Sequence, residues 1–239
     1  MNNPYITTYL NTTARILPSQ MDNNIRKHIK SNVEKEHLNK CFLDYGFVNK
    51  INEIQVDYDA DIVPEDPMAC ALFKVKFLCT LCRPLVSSTI VGKAQGITPI
   101  MIYIVCGPLD IIVKTSTNIN KDIFVFNPKL NTWTAKFSQQ MMILKEGTHL
   151  KVKILNKKII DKTNRILCTG YLENLASEKE IEQSIKDSFM GSSYTSFDEY
   201  LEKEKKIIET EEEKQLQQNL LESNMVLSAS ANSDTDLSS

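Results

Sequence analysis

Apolar positions recur along this chain with two periods, and the switches between them mark out its elements. Residues 5–16 are rich in Thr and Ile and stop before Pro18, the pattern of a strand closed by a turn. A helix is predicted next. Ser19 with Asp22 three residues on suits an N-cap, and Met21, Ile25, Ile29 and Val33 recur every fourth residue to give one apolar stripe, with Arg26, Lys27, Lys30 and Lys35 on the other faces. Residues 41–54 carry Phe42, Tyr45, Phe47, Val48 and Ile51 around Gly46 and read as a strand with a bulge or close backbone approach at the glycine. Asp57, Asp59, Asp61, Ile62, Val63, Pro64, Glu65, Asp66 and Pro67 are too acidic and proline-rich for a core element and predict an exposed loop. Strand alternation returns over 71–81.

Arg83-Pro84 interrupts the alternation, because proline has no N–H for a ladder and restrains the residue before it. Beyond it lie short β-rich runs at 88–95, 100–106, 109–114, 149–154 and 165–172, with a Gly107-Pro108 turn between the second and third. Several such strands without helical period over about ninety residues predict a small all-β barrel or sandwich, and five strands suit the OB fold. Residues 115–147 are an insertion with Phe124, Phe126, Trp133 and Phe137, loop-like near Asn127-Pro128 and Asn131. After Glu173 come serine clusters, a Glu/Lys-rich stretch over 197–222 with a weak apolar side, and a Ser/Asn/Asp end that predicts disorder. The fold class is α+β: an N-terminal mixed β-sheet with a covering helix (1–82), an all-β OB-fold barrel (83–173) and an acidic, partly helical or disordered tail (174–239).

Charge sharpens this division. The chain has a net charge of -2, but residues 1–82 hold 9 basic and 10 acidic side chains, 83–173 hold 13 and 5, and 174–239 hold 6 and 15. The barrel segment alone is strongly basic and would attract polyanions, although solvated surface lysine accounts for such a count equally well.

The longest apolar stretch, 97–105, is broken by Thr98, Pro99 and Tyr103 and is far short of the roughly 20 residues of a membrane span. The N-terminus lacks the basic-then-apolar pattern of a leader, so the six cysteines are expected to be reduced. Cys79 and Cys82 form one CxxC with no second ligand pair, in a strand where residues three apart face opposite sides. No metal or cofactor is expected. Asp57, Asp59 and Asp61 do not make a calcium loop, since Ile62 and Met68 stand where glycine and glutamate belong. His28, His37 and His149 are scattered and read as surface residues, and no phosphate-cradle, nucleophile-elbow or zincin motif occurs.

Phe73-Lys74-Val75-Lys76-Phe77, Arg83-Pro84, Gly92 and Gly107-Pro108-Leu109 occur in the order and near the spacing of the RNA polymerase stalk subunit family, which the chain resembles over residues 5–173. That family is known as subunit 7 in polymerase II and E-prime in archaea. Leu10-Asn11 ahead of Pro18, Tyr45-Gly46-Phe47-Val48 and Gly170-Tyr171-Leu172 add to the likeness. The resemblance implies a tip domain that docks on the polymerase core near the clamp and a barrel directed at emerging single-stranded RNA. Catalysis would lie in other subunits, and a small helical partner homologous to subunit 4 is implied.

On that footing Gly46, Ile62, Pro64 and Asp66 are expected to dock on the core, Arg83 and Pro84 to form the domain junction, and Lys93, Tyr103, Lys114, Lys151 and Lys153 to contact RNA. The chain departs from the family at Ser87-Ser88, in place of Gly-Glu. It departs again near Met101, and at Ile102 a family aromatic is replaced, which implies loss of a stacking ring. The acidic loop has fewer glycines, and the tail is an addition. A free-standing OB-fold RNA-binding or translation factor, and an assembly adaptor without RNA binding, are the competing readings. Richness in Asn, Ile and Lys suggests AT-rich coding and a large DNA virus; the protein is then expected in host cytoplasm or the virion, and in the nucleus if cellular.

Overall fold

A computed structural model describes residues 3–62, 66–128, 131–137, 140–191 and 202. Val63, Pro64 and Glu65, and the 197–222 stretch apart from Glu202, therefore lie outside the described residues. No described helix is long and apolar enough to cross a membrane.

The N-terminal half is a four-stranded sheet of order β1-β4-β3-β2, built from β1 (Tyr5–Ile16), β2 (Cys41–Phe42), β3 (Gly46–Ile62) and β4 (Ala71–Cys82). Every neighbouring pair is antiparallel, which corrects the expected mixed sheet. β1 and β3 do run the same way, but β4 lies between them and opposes both. The 41–54 run is likewise not one strand: it turns at residues 43–45 to form the β2–β3 hairpin, with Cys41 opposite Phe47. The acidic run is not all loop, because β3 continues through Asp57, Asp59 and Asp61. It does so as an exposed stretch with irregular register between Val56 and Ala60, so the pairing of β4 overrides the poor strand propensity of aspartate.

Helix α1 (Ile25–His37) starts later than its apolar period suggested. Pro18–Gln20 makes a separate 3-10 turn, leaving Met21 exposed, and Asn24 rather than Ser19 precedes the helix. Ile29 and Val33 are buried on Leu10, Ala14, Ile16, Val75 and Phe77 of the sheet. His37 extends that stripe by one more turn and is buried, against the expectation of a surface histidine. Its ring lies parallel to Phe77 at 5.7 Å and edge-on to Phe42 at 4.8 Å, with Nε2 3.0 Å from Thr12 Oγ1.

The second half contains the expected barrel. It closes in the order β11-β12-β7-β6-β5, from β5 (Thr89–Ile97), β6 (Met101–Cys106), β7 (Leu109–Lys114), β11 (His149–Lys158) and β12 (Ile166–Leu175). Only β7–β12 among these pairs is parallel, consistent with a five-stranded OB-type barrel. Ile102, Ile104, Ile111, Val113, Leu150, Val152, Ile154 and Ile166 fill the interior. Gly170 keeps it closed, since a Cβ there would sit 2.3 Å from Val152 Cγ1 and 2.8 Å from Ile111 Cγ2. The insertion is more ordered than expected: β8 (Phe124–Asn127), β9 (Thr132–Phe137) and β10 (Gln140–Ile143) form their own antiparallel sheet. Phe124, Trp133, Ala135 and Leu144 join it to the barrel core, and Trp133 Nε1 donates to Thr98 O at 3.2 Å.

The halves meet through shared packing. Cys41, Phe47 and Cys82, from β2, β3 and β4, belong to the barrel core. Gly46 enables this contact: its φ is +151°, and a Cβ would lie 2.5 Å from the Cys82 carbonyl oxygen. Ordinary side chains avoid that backbone region, and the carbonyl cannot retreat without breaking the start of the β3–β4 ladder. Gly46→Ala is expected to cost about 2–4 kcal/mol, a fall in melting temperature of roughly 5–12 °C. Gly96→Ala is the control: the nearest side-chain atom to a Cβ there is Tyr103 Cβ, at an ordinary 3.8 Å, so its melting curve should stay close to wild type.

Candidate nucleic-acid interface

The residues expected to meet RNA all point outward from the barrel, but alternation and register divide them between two surfaces. Lys93, Lys151 and Lys153 lie on β5 and β11, where Lys93 pairs with His149, Lys151 with Val91 and Lys153 with Thr89. Tyr103 and Lys114 lie on β6 and β7, where Tyr103 pairs with Ile112 and Lys114 with Met101.

The β5–β11 surface is partly occupied by helix α2 (Glu178–Gly191). Sequence reading missed this helix, because serines and alternating charges obscure its apolar side. The start is nevertheless a legible capping pair, Ser177 with Glu180 three residues on. Ser177 N–H and Oγ both donate to Glu180 Oε2 at 3.0 Å. Lys151 Nζ donates to Glu180 Oε1 at 2.8 Å, and Ser184 Oγ donates to the Val91 carbonyl at 3.3 Å. Lys151 is therefore committed to the protein's own helix. At the far end of this surface His149 is half-buried, with its pKa lowered by burial and then by Lys93.

The β6–β7 surface is open and mostly apolar. Met101 and Ile112 are exposed, Tyr103 is half-exposed between them, and Lys114 supplies the positive charge. Close by, Arg165 Nη1 donates to Asp110 Oδ1 at 2.9 Å. Burial, followed by the neighbouring Asp110 carboxylate, raises the Tyr103 pKa. Ile102 is fully buried, so that position faces the barrel interior and its change from an aromatic removes no outward stacking ring. Tyr103 has the outward place.

The expected docking residues are also separated. Gly46 is buried at the junction, with its missing Cβ direction 3.4 Å from Arg83 Cβ. Ile62, 62% exposed, lies at the opposite end of β3. The twelve residues of β4 between them correspond to roughly 35 Å. Asp66 is beside Ile62's end of the sheet and accepts a hydrogen bond from Arg15 Nη2 at 2.7 Å; Pro64 lies outside the described residues.

At the junction Arg83 N–H donates to the Pro4 carbonyl at 2.7 Å, Pro84 is buried, and Lys157 Nζ donates to the Pro84 carbonyl at 2.7 Å. The β11–β12 loop, which in OB folds often faces nucleic acid, is bound to β2 instead. Cys41 N–H donates to Thr163 O at 2.7 Å and Lys162 N–H to Cys41 O at 2.9 Å, while Asp161 Oδ1 accepts from Leu43 N–H at 2.8 Å. Cys79 is in the N-terminal core and Cys82 in the barrel core, so the CxxC spacing makes no pair. Burial pushes the Cys79 thiol up to about 12 and that of Cys82 well above its usual range. No cluster of three or more His, Cys, Asp or Glu suited to a metal occurs among the described residues.

The Lys151–Glu180 contact gives a pH dependence. Lys151, and then the Ser177 N–H, hold Glu180 down from 4.5 to about 2. Its contribution is therefore present above the ordinary glutamate range and is lost as pH falls from about 4.5 to about 2. Solvent screening limits it to about 1 kcal/mol or less. Denaturation curves across that window should fall less steeply for Glu180→Gln than for wild type.

No family model matches the chain. It is 26% identical over 187 residues, 78% of this chain and 90% of the other, to the Acanthamoeba polyphaga mimivirus protein named "Putative DNA-directed RNA polymerase subunit L376". The matched length is too great to fall within either half of this chain alone.

Proposed function

We propose that the chain is a non-catalytic stalk subunit of a viral multisubunit DNA-directed RNA polymerase. In this reading the N-terminal domain (1–82) docks on the core near the clamp, the barrel domain (83–173) meets single-stranded nascent RNA, and a subunit-4-like helical protein is the adjoining partner. The acidic segment 174–239 is an appendage to both. The observation that carries the reading is a closed five-stranded barrel of OB-type order, fixed to an antiparallel sheet, in a chain similar along most of its length to a viral polymerase subunit. A free-standing translation factor would leave the N-terminal sheet, with the exposed Ile62 at its far end, without a role.

Docking would use that far end, at Ile62 and Asp66, while Gly46, Arg83 and Pro84 keep the two halves aligned. RNA would cross the β6–β7 surface, with Tyr103 as the stacking ring and Lys114 as a phosphate contact; Lys93 and Lys153 lie further round the barrel. A viral polymerase subunit would work in host cytoplasm or be packaged in the virion.

Affinity purification of the full-length chain from infected cells should recover the two largest polymerase subunits, and recovery of the chain alone or with ribosomes would overturn the proposal. In single-strand RNA titrations, Tyr103→Ala should weaken binding by about 1–3 kcal/mol. Lys114→Ala should reduce the salt slope by about 0.7. Lys151→Ala should leave that slope nearly unchanged, because its charge already serves Glu180.

A further inference from the structure

The insertion sheet ends in an edge that the proposed function leaves unused. β10 pairs only with β9 among the described residues. Leu144 N–H donates to Trp133 O at 2.8 Å, which fixes the phase of the ladder. Two residues back, Met142 directs its backbone groups inward to Ala135, and Met141 and Ile143 direct theirs to the open side. Side-chain exposure agrees, since Met141 is 60%, Met142 49% and Ile143 46% exposed. Among the described residues, side chains on both faces of the strand are exposed.

Sheet edges are normally protected by short length, a charge, a proline or a bulge. β10 is short, at four residues, but carries no charge, proline or bulge, and its register with β9 is regular. Outward N–H and C=O groups match an occupant with extended backbone, and the exposed methionines and isoleucine match apolar side chains on it. Lys136, opposite Met141, and Lys145, just beyond the strand, are both exposed. The insertion 115–148 holds four lysines against two acids. A second copy of the same edge would bring two sets of lysines together, whereas an acidic segment would pair with them.

We propose that β10 is a docking strand for an extended apolar segment with acidic flanks, contributed by another subunit of the polymerase assembly. This rests on the reading of the chain as a polymerase subunit. The occupant adds a fourth strand to the insertion sheet, bonding to the backbone of Met141 and Ile143 and placing carboxylates beside Lys136 and Lys145.

Hydrogen exchange of segment 140–144 should be compared between the full-length chain alone and the complex purified through it. Exchange should slow by at least about tenfold in the complex. A zero-length carbodiimide should join Lys136 or Lys145 to an Asp or Glu of another subunit. Ile143→Pro removes an outward N–H while sparing the β9 ladder, and should lose both signals with a near wild-type melting curve. If that variant melts early, Ile143→Lys, which places a charge on the same edge, should give the same losses.

Co-purification of polymerase subunits with unchanged exchange would overturn the docking strand and leave the proposed function standing. Slow exchange in the isolated chain that strengthens with concentration would assign the edge to a second copy and also overturn it. Failure of any polymerase subunit to co-purify would overturn both.

Discussion

The structure depends on β4 serving two cores at once. Along its length Phe73, Val75, Phe77, Cys79 and Leu81 face α1 and build the N-terminal core, while its last residue, Cys82, belongs to the barrel core with Phe47 and Cys41. Alternation makes this possible, since successive residues face opposite sides. The end of one sheet thereby plugs the end of the barrel. Had Arg83-Pro84 been a free linker, the halves could move independently. Instead Pro84 is buried, its carbonyl accepts Lys157 Nζ, Arg83 N–H is tied to Pro4 and the β11–β12 loop is tied to β2. Fully burying one large apolar side chain such as Phe47 stabilises by about 1.5–3 kcal/mol, and the hydrogen bonds at Pro84, Arg83 and β2 add to it.

What was legible in the sequence was what local patterning controls. β1 and β7 follow the apolar runs at 5–16 and 109–114, and the five barrel strands occupy the expected runs, with β5, β11 and β12 running two to four residues further at their C-terminal ends. The breaks at Pro18 and Arg83-Pro84 mark real changes of element. The misses arise where tertiary context overrides the local signal. β3 runs through three aspartates because β4 supplies a long partner ladder, and exposure lets the carboxylates stay solvated. His37 looked like part of a charged face, but its position four residues after Val33 continues the apolar stripe, and a ring can bury there with Thr12 beside it. The sheet of β8, β9 and β10 was hidden because its strands are four to six residues long and its aromatics are spread among turn residues.

The site was legible as an inventory but not as an arrangement. Alternation correctly identifies outward lysines, but it cannot say what lies over them. Lys151 meets Glu180, Lys157 the Pro84 carbonyl, Lys162 the Glu36 carboxylate at 3.6 Å and Arg165 that of Asp110. Four of the thirteen basic residues in 83–173 thus hold the fold together, and a charge sum overstates the positive surface offered to a polyanion. The same contacts show that the opposite charges of the barrel and the acidic segment are partly spent on each other, through α2.

These constraints also fix how the two halves are joined. Exposed Ile62 and the barrel lie at opposite ends of β4, and the junction between them is packed and hydrogen-bonded rather than hinged. A contact made at the far end would then set the barrel's direction without an adjustable linker, and the open β6–β7 surface would be presented at a fixed angle. Beneath that surface Arg165 Nη1 donates to Asp110 Oδ1, and the Arg165 backbone carbonyl accepts from Thr163 Oγ1 in the loop tied to β2. Because Cys41 and Phe47 of the β2–β3 hairpin share one core with Ile104, Ile111 and Val152, a change that loosened β2 from the β11–β12 loop would reach the barrel interior as well as the junction.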